Sequence, residues 1–497
     1  MKGVLAVEQA INDMIAELQN REPQGVLRHF SAICAIPHGS YHEEKIADML
    51  VDFAKAHGLW YYRDAMHNVL IKKAATEGYE NEPTVLLQGH TDMVCVKRAS
   101  STHDFENDAL QLRVEDGWLS ATDTTLGADD GIAVAMMLAI LESTDIPHPA
   151  LECLFTVQEE VGLGGAAGFD YSHMEAKLLY NLDSEDEGVG TVSCAGGIRC
   201  DITKKVTFAT EQTPYITLSV TGFKGGHSGA EIHLSRGSAH RVVGHMLARI
   251  AEKFEIRISS LTGGEMDNAI PRDCSAVFAY RREDEAALCA CLDTVISEQM
   301  AVLSADDRVS GKIAYEKSLG DICVTDTKTT GELLSLLLLT PNGVFSMCED
   351  MPALVESSCN MGVLQTSEAA VTFGFLARSS VETKKEDIRV RLALCAAQCG
   401  AEVEYSGAYP GWAYDKSSEA EARYVKAYEM LYGKRPRVEA IHAGLECGLI
   451  KHALPHIGAI SIGPNMRDIH TPDERIELDS IARVYKTVLS MLAIKGR

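Results

Sequence analysis

Five short segments of this chain set acids and histidines at places where apolar runs stop, and no other feature constrains the fold as strongly. They are Leu86-Leu87-Gln88-Gly89-His90-Thr91-Asp92, Thr125-Leu126-Gly127-Ala128-Asp129-Asp130-Gly131, Phe155-Thr156-Val157-Gln158-Glu159-Glu160-Val161-Gly162, Leu178-Leu179-Tyr180-Asn181-Leu182-Asp183 and Met466-Arg467-Asp468-Ile469-His470-Thr471-Pro472-Asp473-Glu474. Short β-rich or apolar runs at 68–73, 84–88, 151–158 and 178–182 alternate with helical patterns at 42–57 and 131–142. Such alternation predicts an α/β layered domain with a mostly parallel sheet. In sheets of that kind chemistry gathers beyond the carboxyl ends of the strands, where these acids and histidines stand.

The residue types point to a metal centre. His90 and Asp92 are two apart, so in extended chain they share a face, and Asp92 can orient the imidazole and fix its metal-binding tautomer. Asp129 and Asp130 open a helix, where on their own they read better as caps than as ligands. Glu159 and Glu160 end a buried run, which is costly for carboxylates unless they are paired or bound to metal. One of them can ligate while the other moves protons. A loop histidine such as His470 is usually just solvated. Each segment alone is weak, and the five together carry the argument.

From 198 to 405 the texture changes to longer alternating strands (216–220, 275–280) and amphipathic helices (284–300, 385–399). Asn268-Ala269-Ile270-Pro271 leads into a strand ending near Arg281 and then a helix. Asn360-Met361-Gly362-Val363 leads into a strand ending near Arg378 and then a helix, which predicts two tandem halves. After Tyr409-Pro410-Gly411-Trp412 the first texture returns, with a strand at 457–462 and a last helix from Leu478. The expected division is a discontinuous catalytic domain, 1–197 plus 406–497, interrupted by an α+β lid domain, 198–405. A chain of 497 residues is large enough for two cores.

The net charge of −25 argues against nucleic acid or an anionic membrane as partner. The first residues show a helical apolar spacing (Val4, Ile11, Ile15, Leu18) with an acid by Glu8, unlike a signal peptide. No stretch reaches the roughly 18 apolar residues of a membrane span. Fourteen scattered cysteines without a Cys-x-x-Cys pair read as reduced thiols in a cytoplasmic protein.

In order and wording the five segments resemble the di-zinc peptidases of the M20 clan. Leu126-Gly127-Ala128-Asp129, Cys194-Ala195-Gly196-Gly197, Gly222-Phe223-Lys224-Gly225-Gly226-His227-Ser228-Gly229, Tyr409-Pro410-Gly411-Trp412 and His442-Ala443-Gly444-Leu445-Glu446-Cys447 are similar to the aminoacyl-histidine dipeptidase (peptidase D, carnosinase-type) subfamily. The resemblance implies a zinc-exopeptidase-like fold and two divalent ions, zinc with cobalt or manganese as substitutes. It implies one ion on His90 and Asp183, the other on Glu160 and His470, and Asp129 across both, followed by a cis peptide at Asp129–Asp130. Further implied roles are Asp92 orienting His90, Glu159 activating a water held between the metals, and His227 donating to the oxyanion. For the substrate it suggests Glu446 at the ammonium and Arg378 and Asn268 at the carboxylate. The expected activity is cleavage of dipeptides, Xaa-His and β-Ala-His among them, with a homodimer through the lid as a further expectation. The nearest alternative is deacylation of N-acyl amino acids by the same centre, and a second is a catalytically inert binding protein on this fold.

Overall fold

The computed structural model describes residues 17–496, so the helical spacing expected over Val4–Leu18 lies almost wholly outside the described residues. The chain divides into two compact units. One takes the described residues up to Ser193, Tyr414–Ala440 and the chain from Leu445 onward; the other takes Cys194–Ala413 together with Ile441–Gly444. Beside the expected boundaries at 197/198 and 405/406, the exchange points lie four residues earlier and eight later. The four-residue return at 441–444 has no counterpart in the sequence reading.

The first unit is built on an eight-stranded sheet in the order Trp60–Arg63, Val69–Lys73, Leu151–Thr156, Val85–His90, Leu178–Asn181, Gly458–Ser461, Val189–Cys194, Arg437–Ile441. The four strands from Leu151–Thr156 to Gly458–Ser461 are parallel, with His90 opposite Thr156, Gln88 opposite Asn181, and Asn181 opposite Ser461. Val69–Lys73 and Val189–Cys194 join this core antiparallel, so the sheet is mixed rather than mostly parallel. All positions of Val85–His90 and Leu151–Thr156 are buried, which explains their unbroken apolar runs. The parallel register sets the carboxyl ends of four strands side by side, and it is there that the acids and histidines emerge.

Helix Ala128–Glu142 follows the same logic. Its sequence after Asp130 is apolar all round, and nearly every residue is buried, as a helix in the middle of a domain requires. It packs against helix Gln24–Cys34, with Gly131 letting Phe30 approach. A second, four-stranded sheet (Met466–Arg467, Arg475–Glu477, Trp118–Ala121, Leu112–Glu115) pairs Met466 with Ile476 and Arg467 with Arg475. That pairing closes the 468–474 segment into a hairpin loop carrying His470.

The second unit is a nine-stranded antiparallel sheet with helices Ala239–Ala251, Glu285–Val302, Thr327–Leu339 and Glu382–Gln398 over one continuous apolar core. Two groups of strands meet where Ile256–Gly263 pairs with Val355–Thr366 at Gly263 and Leu364 alone. The two groups share one sheet and one core. Asn268 precedes a two-residue strand, Ala269–Ile270, whereas Asn360 lies within the twelve-residue strand Val355–Thr366, so the local settings of the two matched segments differ. None of the fourteen cysteines is in a disulfide. Among the described residues no helix is long and apolar enough to cross a membrane.

Candidate metal centre

His90 is the last residue of its strand, and its backbone N–H donates to Asp130 Oδ2 at 3.2 Å. The residue before it has to be glycine: a Cβ on Gly89 would lie 2.5 Å from Asp130 Oδ2 and 2.7 Å from Ala133 Cβ. The His90 ring donates from Nδ1 to the Asp92 carbonyl at 2.9 Å, which turns Nε2 toward the carboxylates of the site. That nitrogen stands 3.0 Å from Asp129 Oδ1 and 3.7 Å from Asp183 Oδ1.

Asp129 reaches its place through a turn at Gly127, whose φ of 66° favours glycine, and through a cis peptide to Asp130. Its second oxygen, Oδ2, is 3.2 Å from His470 Nε2, and the same nitrogen is 2.8 Å from Glu160 Oε1. One carboxylate therefore faces two histidines, one with each oxygen. His470 itself has a φ of 60°, a left-handed backbone uncommon for a side-chain-bearing residue and characteristic of functional loops.

Ligand atoms of His90, Glu159 and Glu160, of His90, Asp130 and Asp183, and of Asp129, Glu160 and His470 each lie within 4.8 Å of one another. The electrostatics fit a cation at this place. Burial, with Asp183, Glu446 and Glu160 nearby, pushes Glu159 well above the usual carboxylate range, although His90 works against the shift. Burial, with Asp129 and Glu160, lifts Asp183 to about 7 against the pull of His90. Hydrogen bonding to Asp129 and Glu160 raises His470 to about 10. Asp129 is depressed: burial would raise it, but His470 and His90 outweigh that. Partly buried carboxylates crowded around two imidazoles are what a divalent ion neutralises.

Asp92 approaches His90 with two groups. Its carbonyl, not its carboxylate, takes the close hydrogen bond from His90, and the carboxylate is 3.6 Å from Nδ1. The carboxylate accepts from Ser40 Oγ at 2.8 Å and from the amides of Glu159 at 3.0 Å and Glu160 at 3.3 Å. It thus fixes the turn that presents both glutamates. Glu446, expected at a substrate ammonium, is 0 % exposed and accepts from Gln88 and Thr156 Oγ1 beneath the strand ends. Burial holds it up at about 7. Glu474, given no role in the sequence reading, accepts from four backbone amides of the turn before Asp129.

The remaining expected residues belong to the second unit. The N–H of Ala230 donates to His227 Nδ1 at 3.0 Å, so the ring proton sits on Nε2, a donor. Asn268 follows the Gly264 turn, and its carbonyl accepts from the Ser228 amide at 2.8 Å. Arg378 is only 5 % exposed, donates to Tyr409 Oη at 3.0 Å, and leaves Nε without a partner. No carboxylate pairs with it among the described residues. Across the strand pair Ser358 stands opposite Arg378, and Ser358 Oγ is 2.7 Å from His442 Nε2. Burial, then the charge of Arg378, lowers His442 to about 3, so that imidazole is neutral. Ser358 and Tyr409 escaped the sequence reading altogether as site residues, and His442 entered it only as part of a motif.

The family model described as peptidase family M20/M25/M40 matches residues 86–493. The chain is 37 % identical over 482 residues to the cytosol non-specific dipeptidase of Escherichia coli (strain K12), covering 96 % of this chain and 99 % of that protein. The crystal structure of aminoacylhistidine dipeptidase from Vibrio alginolyticus superposes with a TM-score of 0.92 at 35 % identity, over 98 % of this chain and 99 % of that one. Aminopeptidase PepT from Bacillus cereus shares the fold, with a TM-score of 0.55 at 16 % identity over 95 % of this chain and 98 % of its own.

Proposed function

The chain belongs to peptidase family M20/M25/M40, and on that premise we propose that it is a metal-dependent dipeptidase, hydrolysing the single peptide bond of a dipeptide. The observation that carries this reading is Asp129, whose Oδ1 faces His90 and whose Oδ2 faces His470. His90 and Asp183 would hold one divalent ion, Glu160 and His470 the other, and Asp129 both; the mixed nitrogen and carboxylate set suits zinc, with cobalt or manganese as substitutes. Bound there, the ions supply Lewis acidity toward a peptide carbonyl and toward water.

The chain's own groups do the rest. Glu159, held by the Asp92 carboxylate through its amide, takes a proton from the attacking water and returns it to the departing amine. His227 Nε2–H is the donor for the carbonyl oxygen as it gains charge. Arg378 is a buried guanidinium with no carboxylate partner among the described residues, and its fork matches the free carboxylate of a dipeptide; Asn268 assists. The names of the two relatives support dipeptides as substrates, Xaa-His among them, and a cytoplasmic location; β-Ala-His is proposed as one such substrate from the subfamily resemblance of the motifs. The inserted unit acts as the lid in this reading and is the surface through which a homodimer would form.

The test measures bound metal and cleavage of Ala-His, β-Ala-His, Leu-Leu, a tripeptide and N-acetyl-Ala-His by wild type and Glu159→Ala. About two ions per chain are expected in both proteins, with dipeptide cleavage in wild type alone. Hydrolysis of the acetylated compound only would replace the dipeptidase reading with an acylase. Absence of metal from wild type would remove the centre.

A further inference from the structure

Glu474 is 2 % exposed, and among the described residues no lysine, arginine or histidine pairs with it. All its hydrogen bonds as an acceptor go to one turn. Oε2 accepts from the amides of Leu126 at 2.7 Å and Gly127 at 3.1 Å; Oε1 accepts from those of Ala128 at 2.8 Å and Asp129 at 3.4 Å. The same hairpin loop carries His470, four residues earlier, with its Nε2 against Asp129 Oδ2. Asp129 is therefore gripped from one loop at both ends, its backbone by Glu474 and its carboxylate by His470. The loop is itself anchored: the Glu474 amide donates to Thr471 O at 3.1 Å, Thr471 Oγ1 to Asp468 O at 2.7 Å, and the hairpin pairs on both sides.

An ordinary helix cap satisfies one or two amides from a residue adjacent in sequence. Here a carboxylate some 345 residues away takes four successive amides, ending on that of Asp129 itself. We infer that Glu474 is a positioning residue, which aims the Asp129 carboxylate between His90 and His470 by holding the 126–129 turn. This rests on the reading that Asp129 serves two metal ions.

The test titrates zinc into metal-free wild type, Glu474→Gln and Glu474→Asp against a chromophoric chelator, at a temperature where circular dichroism shows each protein folded. Glutamine puts an N–H₂ against two of the amides and should weaken zinc binding about 10- to 100-fold, most for the ion on Glu160 and His470. Aspartate keeps both oxygens on a shorter arm and should fall between, and it carries the test if the glutamine variant does not fold. With cobalt(II) in place of zinc, the visible absorption of the site should shift in the variants. Two ions bound by folded variants with wild-type affinity and spectrum would overturn the role of Glu474 and leave the metal centre standing. Fewer than two ions in wild type would overturn the centre and this inference together.

Discussion

At the scale of single residues, burial decides which polar groups matter. Arg378 and His442 sit in one buried cluster in which only the arginine is charged, because a second charge there would be neither solvated nor paired. Arg378→Lys keeps the charge but loses the fork, so KM for dipeptides should rise about tenfold or more while the metal content is unchanged, measurable by steady-state kinetics beside metal analysis. His240 offers a test away from the metal residues. It is fully buried in the second unit, with Nδ1 3.1 Å from Met361 O, and burial lowers its pKa from 6.5 to about 4. The unfolded chain takes up this proton near pH 6.5, whereas the folded chain resists it until about pH 4. The stability it contributes is complete above pH 6.5 and is lost as the pH falls toward 4, by about 1.4 kcal/mol per unit. His240→Gln should flatten the pH dependence of denaturant unfolding in that window and leave it unaltered above pH 7.

Elements owe their positions to close approach as much as to propensity. The strand ending at His90 and the helix opening at Asp129 meet at Gly89, where a methyl group would overlap Asp130 and Ala133. Gly89→Ala should cost about 1–3 kcal/mol by overpacking, seen in urea unfolding. It should also weaken metal binding, because His90 lies one residue on. The helix Ala128–Glu142 is buried along its length, so Leu138→Ala should cost about 2–5 kcal/mol through the cavity it leaves, while metal content at saturating zinc stays at the wild-type value.

For the molecule as a whole, two compact units with separate cores imply separable stabilities. The residues proposed as metal ligands all belong to the unit containing the mixed sheet. An ion at about 100 times its dissociation constant adds about 2.7 kcal/mol to the unit that binds it. Chelation should therefore lower the calorimetric transition of that unit and leave the transition of the antiparallel unit where it was. A uniform shift of the whole unfolding profile would show that the two units melt as one.

Much of this was legible in the sequence, because its signals are local and periodic. An apolar run that stops at an acid marks the carboxyl end of a buried strand, and parallel pairing brings such ends together whatever lies between them. Hence the strands near 84–88, 151–158 and 178–182 were located, and His90, Asp129, Glu159, Glu160, Asp183 and His470 were found together. The antiparallel flanks of the sheet were not legible, since strand direction depends on how the chain returns. Nor was the burial of Glu446, the carbonyl through which Asp92 holds His90, the grip of Glu474 on the 126–129 turn, or the grouping of Arg378 with Ser358, Tyr409 and His442. Most of these are contacts between residues far apart in the chain, set by sheet register and loop return. No periodicity announces them, because hydrogen bonding and burial belong to the packed whole, whereas the pattern of apolar and charged side chains belongs to the chain itself.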